Sequence, residues 1–161
     1  MMGGVRIPVL YLDTSVLGGY FDEEWKEATQ ELFRQMEMGL WKFVCSDVTR
    51  DEIQGAPEPV RELFANTFPP ESLLRPNDEM DDLAAVYVAQ KVVPPKYGDD
   101  ALHVAVCTVS GINLLVSWNF KHLVSLQRES GFNAVNLVQG YPTIRIVSPM
   151  ELIYGNQDQN L

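Results

Sequence analysis

The sequence predicts a single three-layer α/β/α domain with a mostly parallel central sheet. Three observations carry that prediction. Short apolar runs rich in β-type residues recur along the chain and end abruptly in polar residues, as strands buried on both faces do. Segments with three-to-four apolar spacing stand between them, so strands alternate with helices. The 161 residues are 46% apolar and 21% charged, which supplies one well-filled core and little beyond it. The domain is expected to span residues 1–154, with 155–161 as a polar, frayed tail.

The elements follow in order. Ile7 to Leu12 (IPVLYL) reads as a central strand that stops at Asp13-Thr14-Ser15, and Gly18-Gly19 interrupts the pattern after it. From Glu24 to Met38 the apolar residues Trp25, Ala28, Leu32, Phe33 and Met36 fall at helical spacing, with Gly39 as the stop. Trp41 to Cys45 is a second strand, closed by Ser46-Asp47. Thr49 to Gln54 and Glu58 to Ala65 read as helices separated by Gly55-Ala56-Pro57. Asn77 to Lys91 is a helix ended by Pro94-Pro95, and Lys96-Tyr97-Gly98 is a loop. Asp99 to Ser110 is apolar on nearly every side and is expected to be a buried helix. Ile112 to Trp118 is a third strand, Lys121 to Glu129 a short helix and Thr143 to Val147 a fourth strand. Ser148-Pro149-Met150-Glu151 opens a last helix, with a capping serine, proline at the first position and glutamate three residues after the cap.

Composition excludes several classes. Twelve basic against 22 acidic residues give a net charge of −10, which argues against coating nucleic acid by electrostatics alone. No run reaches the roughly 18–20 apolar residues of a membrane span, and the amino terminus lacks a secretory pattern, so a cytoplasmic location without membrane contact is expected. Cys45 and Cys107 form no CxxC pair and read as core residues. His103 and His122 are too few for a histidine-rich zinc site.

Ligands in open α/β sheets sit beyond the carboxyl ends of the strands. Asp13 closes the first strand and Ser46-Asp47 the second, with Glu52 about a turn further on. Asp99-Asp100 opens the buried helix, and Asn119 closes the third strand. Two carboxylates about 4 Å apart repel by roughly 4 kcal/mol at an effective dielectric of about 20, so such a group shares a proton or binds a cation. An all-oxygen set suits Mg²⁺ or Mn²⁺, and such ions can hold a phosphodiester and ionise water. Each residue has a plainer alternative. Asp13 fits a cap for the turn at Ser15-Val16, and Thr49-Arg50-Asp51-Glu52 fits a capping box with Glu52 returning to the Thr49 amide. Asp99 and Asp100 suit a helix N-terminus, and Asn119 suits a turn.

Three segments carry a family resemblance. LYLDTSVLGGYFD (Leu10 to Asp22) resembles the opening motif of PIN-domain proteins, and SDVTRDEI (Ser46 to Ile53) resembles their second motif. GDDALHVAVCTVSGINLLVSWNFKHL (Gly98 to Leu123) is similar to the third and fourth motifs together and is the most specific part. The resemblance implies a Mg²⁺- or Mn²⁺-dependent ribonuclease on a parallel sheet between helices, of the kind found as VapC-type toxins of toxin–antitoxin pairs. It implies Asp13, Glu52 and Asp100 as acidic metal ligands and catalytic residues, with Glu52 orienting the attacking water. The fourth acidic position falls on Asn119, which brings no negative charge, so a second metal is expected to be weakly held or absent. Thr14 and Ser117 are expected to hydrogen-bond behind the carboxylates.

Lys121 and Arg128, seven apart on the expected short helix with His122 adjacent, are candidate contacts to the RNA backbone; a solvated helix face is the alternative. Expected partners are RNA, a small antitoxin laid over the site entrance and a second copy of the chain in a homodimer. The competing reading is a catalytically weak or inactive PIN-like module that binds RNA or protein, motivated by Asn119 and the acidic balance. An aspartyl phosphatase is disfavoured because Ser15 stands where its second aspartate belongs, and no GxGxxG follows the first strand for a dinucleotide.

Overall fold

The computed structural model describes residues 6–158, with side chains to residue 154. Its strands are Val9–Leu12 (β1), Lys42–Val44 (β2), Leu114–Val116 (β3) and Arg145–Val147 (β4), all parallel in the order β2-β1-β3-β4. The α-helices are Thr14–Gly19 (α1), Lys26–Glu37 (α2), Asp47–Glu52 (α3), Glu58–Thr67 (α4), Asp78–Ala89 (α5), Gly98–Val109 (α6), Leu126–Val138 (α7) and Pro149–Asp158 (α8). Each strand is shorter than the apolar run that announces it: β1 and β4 take the carboxyl ends of their runs, β2 and β3 the middles.

The period-two alternation of the strands sorts their side chains into two cores. Tyr11, Val44, Leu115 and Ile146 pack with α5, α6 and α7 through Met80, Leu83, Tyr87, Val104 and Phe132. Leu10, Leu12, Phe43, Val116 and Val147 pack on the other face with α1, α2, α4 and α8 through Val16, Leu32, Phe64 and Ile153. Both faces are covered, which is why the strands read as unbroken apolar runs and why the architecture is a three-layer α/β/α fold. Among the described residues no helix is long and apolar enough to cross a membrane.

Several boundaries differ from the sequence reading. Gly18-Gly19 does not break the chain; both glycines lie in α1. Gly19 is needed bare there, since a Cβ would lie 2.6 Å from Cδ1 and Nε1 of Trp118. The capping box at Thr49 does not form. Ser46 is the N-cap of α3, accepting from the Val48 amide, and Glu52 turns elsewhere. The box at the start of α8 does form, with Glu151 accepting from the Ser148 amide. α5 stops before the prolines, at Ala89, with Lys91 in the left-handed region at φ 62.

The short helix expected over Lys121 to Glu129 is absent. The chain turns after Asn119, Ser125 caps α7 by accepting from the Arg128 amide, and the helix runs on to Val138. Gly131, a poor helix former, masked that continuation; its bare backbone admits Val92, whose Cγ1 would lie 3.1 Å from a Cβ. At the carboxyl end α8 continues through Asp158, so residues 155–158 of the expected tail are helical in backbone. Residues 159–161 lie outside the described residues.

Trp118 has no room to yield. Its ring stacks on Trp25 at 4.3 Å between centroids, and its Nε1 donates to the Thr29 hydroxyl at 2.9 Å. Gly19→Ala is therefore expected to destabilise the fold by about 1–3 kcal/mol, read as a lowered urea midpoint. A midpoint equal to that of the unsubstituted chain would show that the indole moves freely.

Candidate functional site

The site is set by strand register. β1 pairs with β3 so that Leu12 faces Val116, and the next residues, Asp13 and Ser117, leave the sheet side by side. The Asp13 amide donates to the Val116 carbonyl at 3.2 Å, which extends that pairing by one residue. β1 lies between β2 and β3, so successive connections leave it in opposite directions. The crevice at the carboxyl ends there is where open α/β sheets take ligands.

Asp13 is only 4% exposed. It occupies the N-cap position of α1 yet makes no capping bond with its side chain. Its Oδ1 accepts from the Ser15 hydroxyl and its Oδ2 from the Ser117 hydroxyl, each at 2.6 Å. Those serines are fixed in turn, Ser15 accepting from the Trp118 amide at 2.8 Å and Ser117 from the Asn119 amide at 2.9 Å. Burial pushes the Asp13 carboxyl above its ordinary range, against the pull of His103 and of the two serine hydroxyls.

Glu52, at the end of α3, reaches across to the other segments. Its Oε1 accepts from the Thr14 hydroxyl at 2.9 Å and lies 2.5 Å from His103 Nε2. His103 is 1% exposed, and its Nδ1 lies 2.6 Å from the Tyr11 hydroxyl, which itself lies 2.6 Å from Ser46 Oγ. A line of polar groups, buried at Ser46, Tyr11 and His103, thus runs out to the more exposed Glu52 and Thr14, drawing on β1, α1, α3 and α6. Burial works against charge on both members of the central pair. For Glu52 the His103 hydrogen bond and charge more than offset it and hold the carboxyl below its ordinary range. For His103 the Glu52 contact outweighs burial and raises the imidazole. Both directions favour an imidazolium–carboxylate pair.

Asp100 is half-buried in the first turn of α6, one turn before His103, whereas Asp99 is exposed. Burial pushes the Asp100 carboxyl up to about 6; Asp13, Glu52 and Asp99 push the same way and His103 opposes. Asp13, Glu52 and Asp100 therefore share one electrostatic neighbourhood, with one buried imidazole facing them.

A hard divalent cation fits this chemistry. The donors are carboxylate oxygens, and Asp13 and Glu52 both act on Asp100, whose carboxyl burial raises first of all. Among the described residues no group of three or more His, Cys, Asp or Glu side chains is arranged to hold a metal by itself. An ion bound here would keep part of its water, as Mg²⁺ ordinarily does on one or two carboxylates. A cleft of about 450 Å³ opens beside Glu52, between α3 and the start of α6, lined by Asp47, Arg50, Asp51, Pro76, Asp99 and Leu102 among others.

The other sequence candidates divide. Thr14 and Ser117 stand behind Glu52 and Asp13, each donating a hydroxyl hydrogen bond. Asn119 Oδ1 accepts from the His122 amide at 3.0 Å, so its side-chain oxygen holds the turn after β3, the plainer of its two readings. Lys121 and Arg128 do not share a helix face. Lys121 is exposed in that turn, while Arg128 lies in the first turn of α7 and its Nη1 donates to the Val92 carbonyl.

Ser15, His103, Tyr11 and Ser46 are site residues that motif reading passes over. His103 carried a signal, since a histidine three residues after Asp100 on an otherwise apolar helix has to find a partner in the interior.

The folded state binds a proton on Asp100 more tightly than the unfolded state does, so Asp100 contributes stability at low pH that is lost as pH rises through about 6. The metal-free protein is expected to become more stable between pH 7 and pH 5. Asp100→Asn is expected to raise stability at pH 7 and flatten that trend in urea unfolding followed against pH. A variant less stable than the parent at pH 7 would show that the Asp100 charge is already well compensated.

No family model matches this chain, and no curated protein matches it significantly.

Proposed function

We propose that the protein is a Mg²⁺- or Mn²⁺-dependent ribonuclease of the PIN type, acting in the cytoplasm as the toxin of a toxin–antitoxin pair. One observation supports the reading: in three distant segments that resemble PIN motifs, Glu52 is bonded to Thr14, the neighbour of Asp13, and to His103, one turn from Asp100, and the three carboxylates act electrostatically on one another. A bound divalent ion would neutralise these carboxylates, engage a phosphodiester oxygen and acidify a water.

The chain's own residues do the rest. Asp13 and Asp100 would hold the ion with help from Glu52, and the two serine hydroxyls on Asp13 hold its carboxylate in one orientation. Glu52 is kept ionised by His103 and orients the attacking water. Thr14 and His103 both bond Oε1, which leaves Oε2 as the oxygen turned to that water. Water adds to phosphorus as the 3′ oxygen departs, which leaves a 5′-phosphate and a 3′-hydroxyl. Asn119, occupied with the His122 amide, adds no charge, so the site works with three carboxylates and favours a single ion.

That same feature supports a second reading, an inactive PIN-like module that binds without cutting. Purified protein with Mn²⁺ and a mixed RNA pool is expected to yield fragments ending in 5′-phosphate, and Asp13→Asn is expected to reduce the rate at least a hundredfold, roughly the loss of one strong transition-state contact. Cleavage that survives Asp13→Asn overturns the assignment. Failure to take up Mn²⁺ at millimolar ion in calorimetry selects the inactive module instead.

A further inference from the structure

The turn after β3 carries more than Asn119. It projects Phe120 to one side and His122 to the other, beside the carboxylate group. Phe120 is 46% exposed, and its ring lies 5.7 Å from Trp25 and 6.1 Å from Trp118, which stack on each other. The aromatic wall behind Phe120 is anchored by the Trp118–Thr29 hydrogen bond, so the ring is displayed on a rigid support. On the opposite side His122 lies against Tyr97 with centroids 3.7 Å apart, and Lys96 Nζ sits 5.1 Å over the same tyrosine ring.

Tyr97 is three residues before Asp100, and His122 is three after Asn119, so this second stack also borders the site. Lys96, Lys121 and Arg128 all act on the His122 ring and lower its pKa once burial is counted, which locates the three cations together. Among the described residues the lysines and arginines in ion pairs are Lys26, Arg34 and Arg50, and neither Lys96 nor Lys121 lies within salt-bridge distance of a carboxylate. In a chain of net charge −10, two exposed lysines stand beside the His122–Tyr97 stack.

We propose that this turn is a single-stranded RNA subsite, in which an unpaired base stacks on Phe120 against Trp25 and the adjoining phosphates are met by Lys96 and Lys121. The proposal deepens the ribonuclease reading and rests on it for the identity of the ligand. Aromatic faces give single strands a sequence-tolerant grip, and cations beside them track the backbone. A paired base cannot reach Phe120, because its faces are already covered by its neighbours in the duplex. Glu24 and Glu27 flank the Trp25 side of the wall and the lysines stand on the Tyr97 side, so the phosphates of a single strand are met on the Tyr97 side, where an apolar arm of a protein would find no use for the lysines.

Binding is measured by fluorescence anisotropy of labelled oligouridylate and oligoadenylate in EDTA, where no hydrolysis takes place. Single strands are expected to bind more tightly than the duplex the two form together. Phe120→Ala and Phe120→Leu are expected to weaken single-strand binding by roughly 10- to 100-fold, and Phe120→Trp to restore it to within about threefold. The leucine variant keeps apolar bulk against Trp25 without a π face, which separates stacking from simple packing. Lys96→Ala with Lys121→Ala is expected to reduce the slope of log affinity against log salt by about 1.4, at about 0.7 for each phosphate contact on a single strand.

Leucine binding as well as phenylalanine, duplex binding as tightly as single strands, or an unchanged salt slope each overturns the proposal. No RNA binding at all, with a native near-ultraviolet circular dichroism spectrum, also overturns it and gives the face to a protein partner. Hydrolysis is tested separately: Phe120-dependent binding without Mn²⁺-dependent cleavage fells the ribonuclease reading and leaves the subsite standing.

Discussion

A carboxylate buried at the end of a central strand is the constraint around which the local structure is organised. Asp13 cannot leave the sheet edge without breaking the β1–β3 register, and it cannot remain there charged without donors. Two serine hydroxyls, from α1 and from the end of β3, supply them. The serines need donors of their own, and these come from the amides of Trp118 and Asn119. The conformation of the segment after β3 is thereby tied to a side chain on β1. The same logic runs through the second layer of the site, where Glu52 is tolerated because His103 faces it and His103 is tolerated because Tyr11 occupies its other nitrogen. Removing a partner of Asp13, Tyr11 or His103 leaves a polar group stranded in a region with little access to water.

Much of this was legible in the chain before any coordinates. Strand positions, both-face burial and the gathering of acidic residues at one edge follow from apolar runs that end in Asp13, Ser46 and Asn119. The fold class needs nothing more, because a parallel sheet covered by helices puts those ends on the same side. Local propensity misled where tertiary contacts decide. Gly18-Gly19 looks like a break, yet Gly19 is helical because Trp118 occupies the space of its side chain. Thr49 to Glu52 looks like a self-contained capping box. Ser46 takes the cap instead and frees Glu52 for His103. Asn119 resembles an altered ligand, but the His122 amide claims its oxygen.

The polar partners were harder to foresee for a physical reason. Ser15 matters through its bonds to Asp13 and to the Trp118 amide, and no periodicity encodes the second, between positions 103 residues apart. His103 was visible as an oddity in a helix that is otherwise apolar, but its partner Glu52 is 51 residues away. Charge at the site is equally invisible to composition. A chain with 22 acidic residues does not reveal which of its carboxylates are pressed towards neutrality; burial and neighbouring anions do this to Asp13 and Asp100.

The separation of Asp13 from Ser117 bears on the life of the chain during its synthesis. At about 5–20 residues per second, a ribosome that has just added the aspartate needs roughly 5–20 seconds more to add the serine 104 residues later. Until then the first strand has no neighbour on its β3 side, and the carboxylate has only its local serine to hold it. An unfinished polypeptide, or one truncated before the third strand, therefore carries the acidic residues without the pocket. Whatever chemistry the folded molecule performs is withheld until translation has passed Ser117, a delay written into strand order with no inhibitor required.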